Sequence, residues 1–315
     1  MEAMRPPRLL CAIAALAAAA LLSLTPAAAN AKPPIGVSDQ NLSMFSNPLF
    51  APLQIKYVRY ILPYDIALEP DSLASVAFDQ WLAAARASDK QAMVAFEHDL
   101  TSNCPHNPCT APSEPAYEKA IKAFRAKYPT IKLLTAWNEA NAPTQPTYRD
   151  PVQAVQYYKI VKRLCRGCTI VAADVLDNTI MPRWLNTFAS VAESQHLRPR
   201  LWGLHNWGDV NHFQTTGIKT VLDTVRGSVW LTETGGIVAF TTADGRQNFH
   251  PSDTRASKAM RYLFRKIVPL SRRIKRIYIY NWLSQPTNRW DTGLIDHAGH
   301  PRGMYRIVER YIRGR

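Results

Sequence analysis

Lys132-Leu133-Leu134-Thr135-Ala136-Trp137-Asn138-Glu139 is a short apolar run that stops abruptly at an amide and a carboxylate. A run of this length, apolar on both faces, fits a strand buried in a parallel sheet. A carboxylate at its close is poorly placed for solvation and well placed for acid–base chemistry. The same arrangement returns at Ser228-Val229-Trp230-Leu231-Thr232-Glu233-Thr234-Gly235-Gly236.

Six further runs of the same kind extend the pattern in both directions: Ile35–Val37, Lys56–Ile61, Ala92–Phe96, Thr169–Ala173, Leu201–Leu204 and Arg276–Tyr280. Between them lie segments with helical periodicity, namely Ser75–Ala87, Pro115–Tyr128, Val152–Leu164, Met181–Glu193, Thr215–Val225 and Ser252–Ile267. Several of these open on the Ser, Thr, Asp or Pro that helix starts prefer. Strand–helix alternation implies parallel strands, and eight such units in this length fit an α/β fold of the closed (β/α)8, or TIM-barrel, type. An open doubly wound sheet is disfavoured, because Ile35-Gly36-Val37-Ser38-Asp39 lacks the glycine-rich phosphate turn.

A barrel places its chemistry at the C-terminal ends of its strands. The polar residues of this chain fall there: Asp39 after the first run, Arg59 and Asp65 around the second, and His98, Asn138 and Glu139, Asp174, His205 and Asn206, Glu233, and Asn281 with Trp282 after the third to the eighth. Trp282, at a strand end, is the one tryptophan whose position favours offering a ring face to a ligand over packing. Asp174 and Asp177 also read as simple helix caps.

The first residues resemble a secretory signal: Arg5 and Arg8 precede an apolar stretch from Leu9 to Leu24, followed by Ala29-Asn30-Ala31. Residues 1–31 are therefore expected to be a cleaved signal peptide, with export of a single domain, 32–315. Of five cysteines, Cys11 lies in that segment, and the other four form two close pairs, Cys104 with Cys109 and Cys165 with Cys168. In an exported protein these read as disulfides rather than a redox or zinc site. The chain carries 38 basic and 24 acidic side chains, a formal charge of +14. That charge suits an anionic surface such as a cell envelope. Its C-terminal cluster, Arg261, Arg265, Lys266, Arg272, Arg273, Lys275 and Arg276, has no interleaved aromatic platform and reads as a solvated helix and turn, not a nucleic-acid site.

Taken together these residues resemble the large clan of retaining (β/α)8-barrel glycoside hydrolases, with an acid/base glutamate after strand 4 and a nucleophile glutamate after strand 7. Trp137-Asn138-Glu139 looks like the acid/base signature and Leu231-Thr232-Glu233 like the nucleophile strand. Val58-Arg59-Tyr60 resembles the strand whose arginine supports the nucleophile. His98 and His205 fall where many members supply active-site histidines, Asn281-Trp282 resembles the strand 8 tryptophan that floors the sugar subsite, and Asp291–Asp296 with Gly299–Arg302 resembles the loop entering the last helix. The resemblance implies a secreted O-glycosyl hydrolase acting on a poly- or oligosaccharide without cofactor or metal. Glu139 would be the acid/base and Glu233 the nucleophile; Arg59, His98, Asn138, His205 and Trp282 would line the substrate site. Ala140-Asn141 stands where many members have proline, and no loop identifies a subfamily.

Other functions leave weaker traces. Metal-assisted hydrolysis is suggested by His98, Asp99, Asp174, His205 and Glu233 around one barrel mouth, but neither a His-x-His pair after the first strand nor an HExxH helix is present. A barrel that binds glycans without cleaving them is opposed by two intact glutamates, and a serine hydrolase by the lack of a G-x-S-x-G elbow.

Overall fold

The computed structural model describes residues 1, 32–285 and 289–314, so the expected signal segment lies outside the described residues apart from Met1. Residues Pro33–Arg315 form one compact unit. Its strands are β1 (Ile35–Ser38), β2 (Tyr57–Pro63), β3 (Gln91–Glu97), β4 (Leu133–Thr135), β5 (Thr169–Val171), β6 (Asp174–Leu176), β7 (Leu201–His205), β8 (Ser228–Thr234), β9 (Ala239–Thr241), β10 (Gln247–Phe249), β11 (Ile274–Tyr280) and β12 (Trp290–Asp291). The helices are α1 (Leu73–Ala87), α2 (Glu114–Lys127), α3 (Pro151–Leu164), α4 (Met181–Ser194), α5 (Trp207–Asn211), α6 (Thr216–Thr224), α7 (Asp253–Tyr262) and α8 (Gly303–Ile312). Side chains of Ser72, Ser113, Asp150 and Ser252 cap α1, α2, α3 and α7 by accepting backbone N–H groups three residues on, satisfying donors that a helix start leaves unpaired.

The large sheet runs β5-β4-β3-β2-β1-β11-β8-β7-β6, with parallel pairing throughout. Its two ends are consecutive pieces of one segment: β5 pairs with β4, β6 pairs with β7, and between them Ala172 N donates to Leu201 O at 3.0 Å. The expected single strand Thr169–Ala173 is thus two short strands about a break, which turns Asp174 into the barrel. The neighbouring strand makes room, since a Cβ on Gly203 would lie 1.7 Å from Asp174 Oδ1. The eightfold barrel is closed across this break.

The helices bury apolar stripes against the strands, among them Phe78, Trp81, Leu82 and Ala85 of α1 and Tyr117, Ile121 and Phe124 of α2. At the N-terminal end of the barrel, Met93, Val171, Trp230 and Tyr278 form a separate plug. The Arg276 guanidinium packs there, 3.7 Å from the Tyr57 ring centroid and 4.0 Å from that of Trp230. Arg273 donates to the carbonyls of Leu222, Val225 and Gly227, closing the end of α6. Two members of the expected solvated basic cluster are therefore structural, because a guanidinium has enough donors to satisfy several carbonyls at once. Both expected disulfides are formed, with Cα–Cα separations of 4.7 Å for Cys104–Cys109 and 5.5 Å for Cys165–Cys168. Among the described residues no helix is long and apolar enough to cross a membrane.

Candidate active site

Glu139 lies just beyond β4 in a segment pinned from both sides. Asn138 N donates to Phe96 O at 2.6 Å, Ala140 N donates to Asp174 O at 2.8 Å, and the Asn141 side chain bonds both Leu176 N and Leu176 O. Glu139 itself adopts φ +44°. A non-glycine residue in the left-handed region costs on the order of 1 kcal/mol, and persists where surrounding bonds over-determine it.

Glu233 sits within β8, where the register slips on both sides. Leu204 faces Leu231 but His205 faces Glu233, and Ile277 faces Leu231 but Ile279 faces Thr234. The extra residue is a bulge, which sends consecutive side chains to one face of the sheet. Thr232 Oγ1 donates to Asp174 Oδ1 at 2.7 Å while Glu233 Oε1 accepts from Arg59 Nη1 at 2.6 Å, both inside the barrel.

Arg59 is wholly buried and is the hub of the site. Besides Glu233 it donates to Asp174 Oδ2 at 2.7 Å, Asn138 Oδ1 at 2.6 Å and Ser38 Oγ at 3.0 Å. Burial alone would raise the Asp174 carboxyl; Arg59, helped by His205 and Thr232, overrides this and holds it at about 2. For Glu233, burial is the largest influence and pushes the carboxyl up, with Glu139 adding to the rise; His205 and Arg59 oppose it. Burial disfavours the His205 cation, but Glu233, Asp174 and Glu139 together lift it to about 10. His205 Nδ1 is 3.0 Å from Glu139 Oε1 and 3.7 Å from Glu233 Oε2. His205 thus makes its hydrogen bond to Glu139 and only an ion-pair contact to Glu233.

Of the sequence-predicted residues, Arg59, Asn138, Glu139, His205 and Glu233 meet at one point. His98 is half-buried at the rim, with Nδ1 2.7 Å from Asp99 O. Trp282 does not join them. Beyond β11 the chain folds inward, Trp282 N and Leu283 N both donating to Asp39 Oδ2 at 2.7 and 3.2 Å, and the indole is fully buried against Phe50 and Tyr305. The expected sugar platform is therefore a packing residue. Asp39, held by these amides, is raised to about 6 by burial.

Two residues at the site escaped the sequence reading. Tyr280, half-buried at the end of β11, has its phenol raised first by burial and then by the charges of Glu233, Asp39 and Glu139. It begins an aromatic series: its ring lies 6.1 Å from Trp207, which lies 5.1 Å from Trp290, itself 4.6 Å from Phe240. The last two sit on the small antiparallel sheet β10-β9-β12. Glu97 closes β3, accepts a 3.4 Å bond from Gln145 Nε2, and is joined through Gln145 Oε1 to Trp137 Nε1 at 3.0 Å. Burial raises its carboxyl; His98 pulls it down, and Glu139 and Glu233 raise it further. Its position immediately after an apolar strand was the available signal.

One carboxylate oxygen each from Glu139 and Glu233 and a ring nitrogen of His205 lie within 4.8 Å of one another. By spacing this trio is a possible cation site. The Arg59 guanidinium already occupies one Glu233 oxygen at 2.6 Å, and its charge opposes a second cation there.

Comparison with known proteins gives the site a context. No curated protein sequence matches the chain. Its barrel superimposes on a psychrophilic glycoside hydrolase family 10 endo-β-1,4-xylanase with a TM-score of 0.63 at 13% identity, covering 88% of this chain and 96% of that one. Xylanase 10B of Thermotoga maritima gives 0.60 at 10% identity, covering 91% and 98%. A monomeric β-xylosidase of Caulobacter crescentus gives 0.59 at 12%, covering 89% and 69%. At such identities the likeness establishes the fold alone. The model of the glycosyl hydrolase catalytic core matches residues 103–301, more than half of the chain and the part that holds both glutamates, so the chain belongs to that family of glycoside hydrolases.

Proposed function

We propose that the chain is a retaining O-glycosyl hydrolase that cleaves a glycan by double displacement, with Glu233 as nucleophile and Glu139 as acid/base. The observation that carries this reading is the spacing of the two carboxylates, with oxygens within 4.8 Å. Retaining enzymes hold their carboxyls about 5–5.5 Å apart, whereas inverting ones leave about 6.5–9.5 Å for a water. Glu233 attacks the anomeric carbon while Glu139 gives its proton to the departing glycosidic oxygen, leaving a glycosyl ester on Glu233. Glu139, now a carboxylate, takes a proton from water as that water attacks the anomeric carbon and releases Glu233.

Arg59 favours the ionised nucleophile in this scheme, and His205, bonded to Glu139, fixes the acid's orientation. Asn138 has committed Oδ1 to Arg59, which leaves its amide N–H groups for a sugar hydroxyl. Tyr280 takes the role expected of Trp282, supplying an aromatic face beside the glutamates, and Trp207 and Trp290 extend that wall. Glu97 adds a third carboxylate as an acceptor for sugar hydroxyls. The substrate is a poly- or oligosaccharide; the xylanases and xylosidase that share the fold make β-xylosides the first to try. Export is inferred from the N-terminal signal pattern and two formed disulfides, and an intact mass beginning near Lys32 checks it.

The test is incubation with a panel of 2-deoxy-2-fluoro glycosides followed by peptide mass mapping. Label on Glu233 is expected; label on any other residue overturns the assignment. Glu139→Ala should slow hydrolysis of phenyl glycosides by about a thousandfold, but affect the glycosylation step for dinitrophenyl glycosides by less than about tenfold, since that leaving group needs little acid assistance. Equal losses on both would remove Glu139 as the acid.

A further inference from the structure

On the active face of the barrel, between the first turns of α3 and α4, lies a cavity of about 480 Å³ that the catalytic reading does not use. Its volume falls in the ordinary range for small-ligand pockets. Arg149 and Arg183 are exposed on its walls, and neither joins an ion pair among the described residues. The carboxylate in the lining, Asp150, is committed to capping α3, where Oδ1 accepts from Gln153 N at 2.9 Å. The walls also carry Trp184, Tyr148 and the 45% exposed Val152. Arg149 lies over the Tyr148 ring with its guanidinium carbon 5.6 Å from the centroid, an arrangement that leaves the N–H edge of the fork open.

The cavity is mechanically tied to the acid/base loop. Trp184 Nε1 donates to Thr147 O at 3.3 Å, and Thr147 Oγ1 donates to the carbonyl of Ala140, next to Glu139, at 2.9 Å. Two other cavities have no comparable character. In the one beside Glu118, that carboxylate is matched by Lys122 and Arg163 at 2.6 Å each. In the one beside Leu82, Arg86 donates to Thr130.

We propose that this cavity is an auxiliary subsite for a carboxylate-bearing sugar, in which Arg149 and Arg183 take the carboxylate of a hexuronate unit and the apolar wall takes the sugar's C–H face. Guanidinium forks match planar carboxylates in two parallel hydrogen bonds, and apolar and aromatic side chains cover sugar C–H groups. The inference rests on the glycan-hydrolase reading and narrows its substrate to acidic glycans.

The experiment is calorimetric titration of the full chain with trimers of galacturonate and of mannuronate, each against its methyl ester, and with inorganic phosphate. At least one acid trimer should bind at least about tenfold more tightly than its ester and than phosphate. Arg149→Ala and Arg183→Ala should each weaken that binding at least about fivefold, while Glu233 labelling by a small fluoroglycoside stays unchanged. Acid and ester binding alike, phosphate binding as well as the trimer, neither trimer binding, or full affinity in the Arg149→Ala/Arg183→Ala double variant each overturns the subsite. Failure of the catalytic reading registers separately, as label away from Glu233 in the wild type.

Discussion

Glu233→Ala is expected to lower kcat/KM by about ten-thousandfold or more on every glycoside that the wild type cleaves, equivalent to about 5.5 kcal/mol of transition-state stabilisation. In the proposed mechanism the side chain is the attacking group, so no leaving group can compensate for its loss, in contrast to Glu139→Ala. The fold should survive, because Asp174 remains to pair Arg59 and burial already disfavours a charge at 233. The truncation opens a space between Arg59 and His205, both cationic in the intact site. A small anion such as azide or formate should enter it and restore part of the activity on dinitrophenyl glycosides, giving a glycosyl adduct of inverted anomeric configuration. More than about a tenth of the activity remaining without added anion, in a variant with wild-type secondary structure, would falsify the nucleophile assignment.

The part of this site that was legible in the sequence is the part fixed by one strand at a time. Eight apolar runs were enough for the barrel, and the strand-end rule then located Asn138, Glu139, His205 and Glu233, while Arg59, inside β2, was legible through the family resemblance of Val58-Arg59-Tyr60. What escaped depends on pairings between strands. The bulge that brings Thr232 and Glu233 to the same face exists only in the register of β8 against β7 and β11. Asp174 read equally well as a helix cap until the break between β5 and β6, and the vacancy at Gly203, turned it toward Arg59. Trp282 was misplaced for the same reason. Two residues beyond Tyr280 the chain is drawn in by the Asp39 carboxylate, which is 243 positions away in sequence.

Arg59→Met should be the most destabilising single change in the molecule, because it strips the shared cation from Asp174 and Glu233 while leaving both carboxylates buried. Breaking a buried pair by removing one partner costs about 3–5 kcal/mol, which for a domain of this size lowers Tm by roughly 6–15 °C. The pH dependence separates this cause from simple loss of packing. Asp174 is held at about 2, below its ordinary 3.8. A carboxyl with a depressed folded pKa contributes stability that is present above the unfolded value and lost as pH falls through the folded one. In Arg59→Met that contribution disappears and burial raises the carboxyl instead, so stability declines as pH rises above about 4. The difference in Tm between wild type and variant should therefore be smallest near pH 2, where Asp174 loses its charge in the wild type, and widen toward pH 6. A packing defect would give the same difference at both. Arg59→Lys should recover only part of the loss, since an ammonium cannot reach Ser38, Asn138, Asp174 and Glu233 with the planar fork that now serves all four. A Tm difference that is flat with pH would mean that the guanidinium is not what keeps the buried carboxylates charged, and the role of Arg59 in holding Glu233 ready to attack would fall with it.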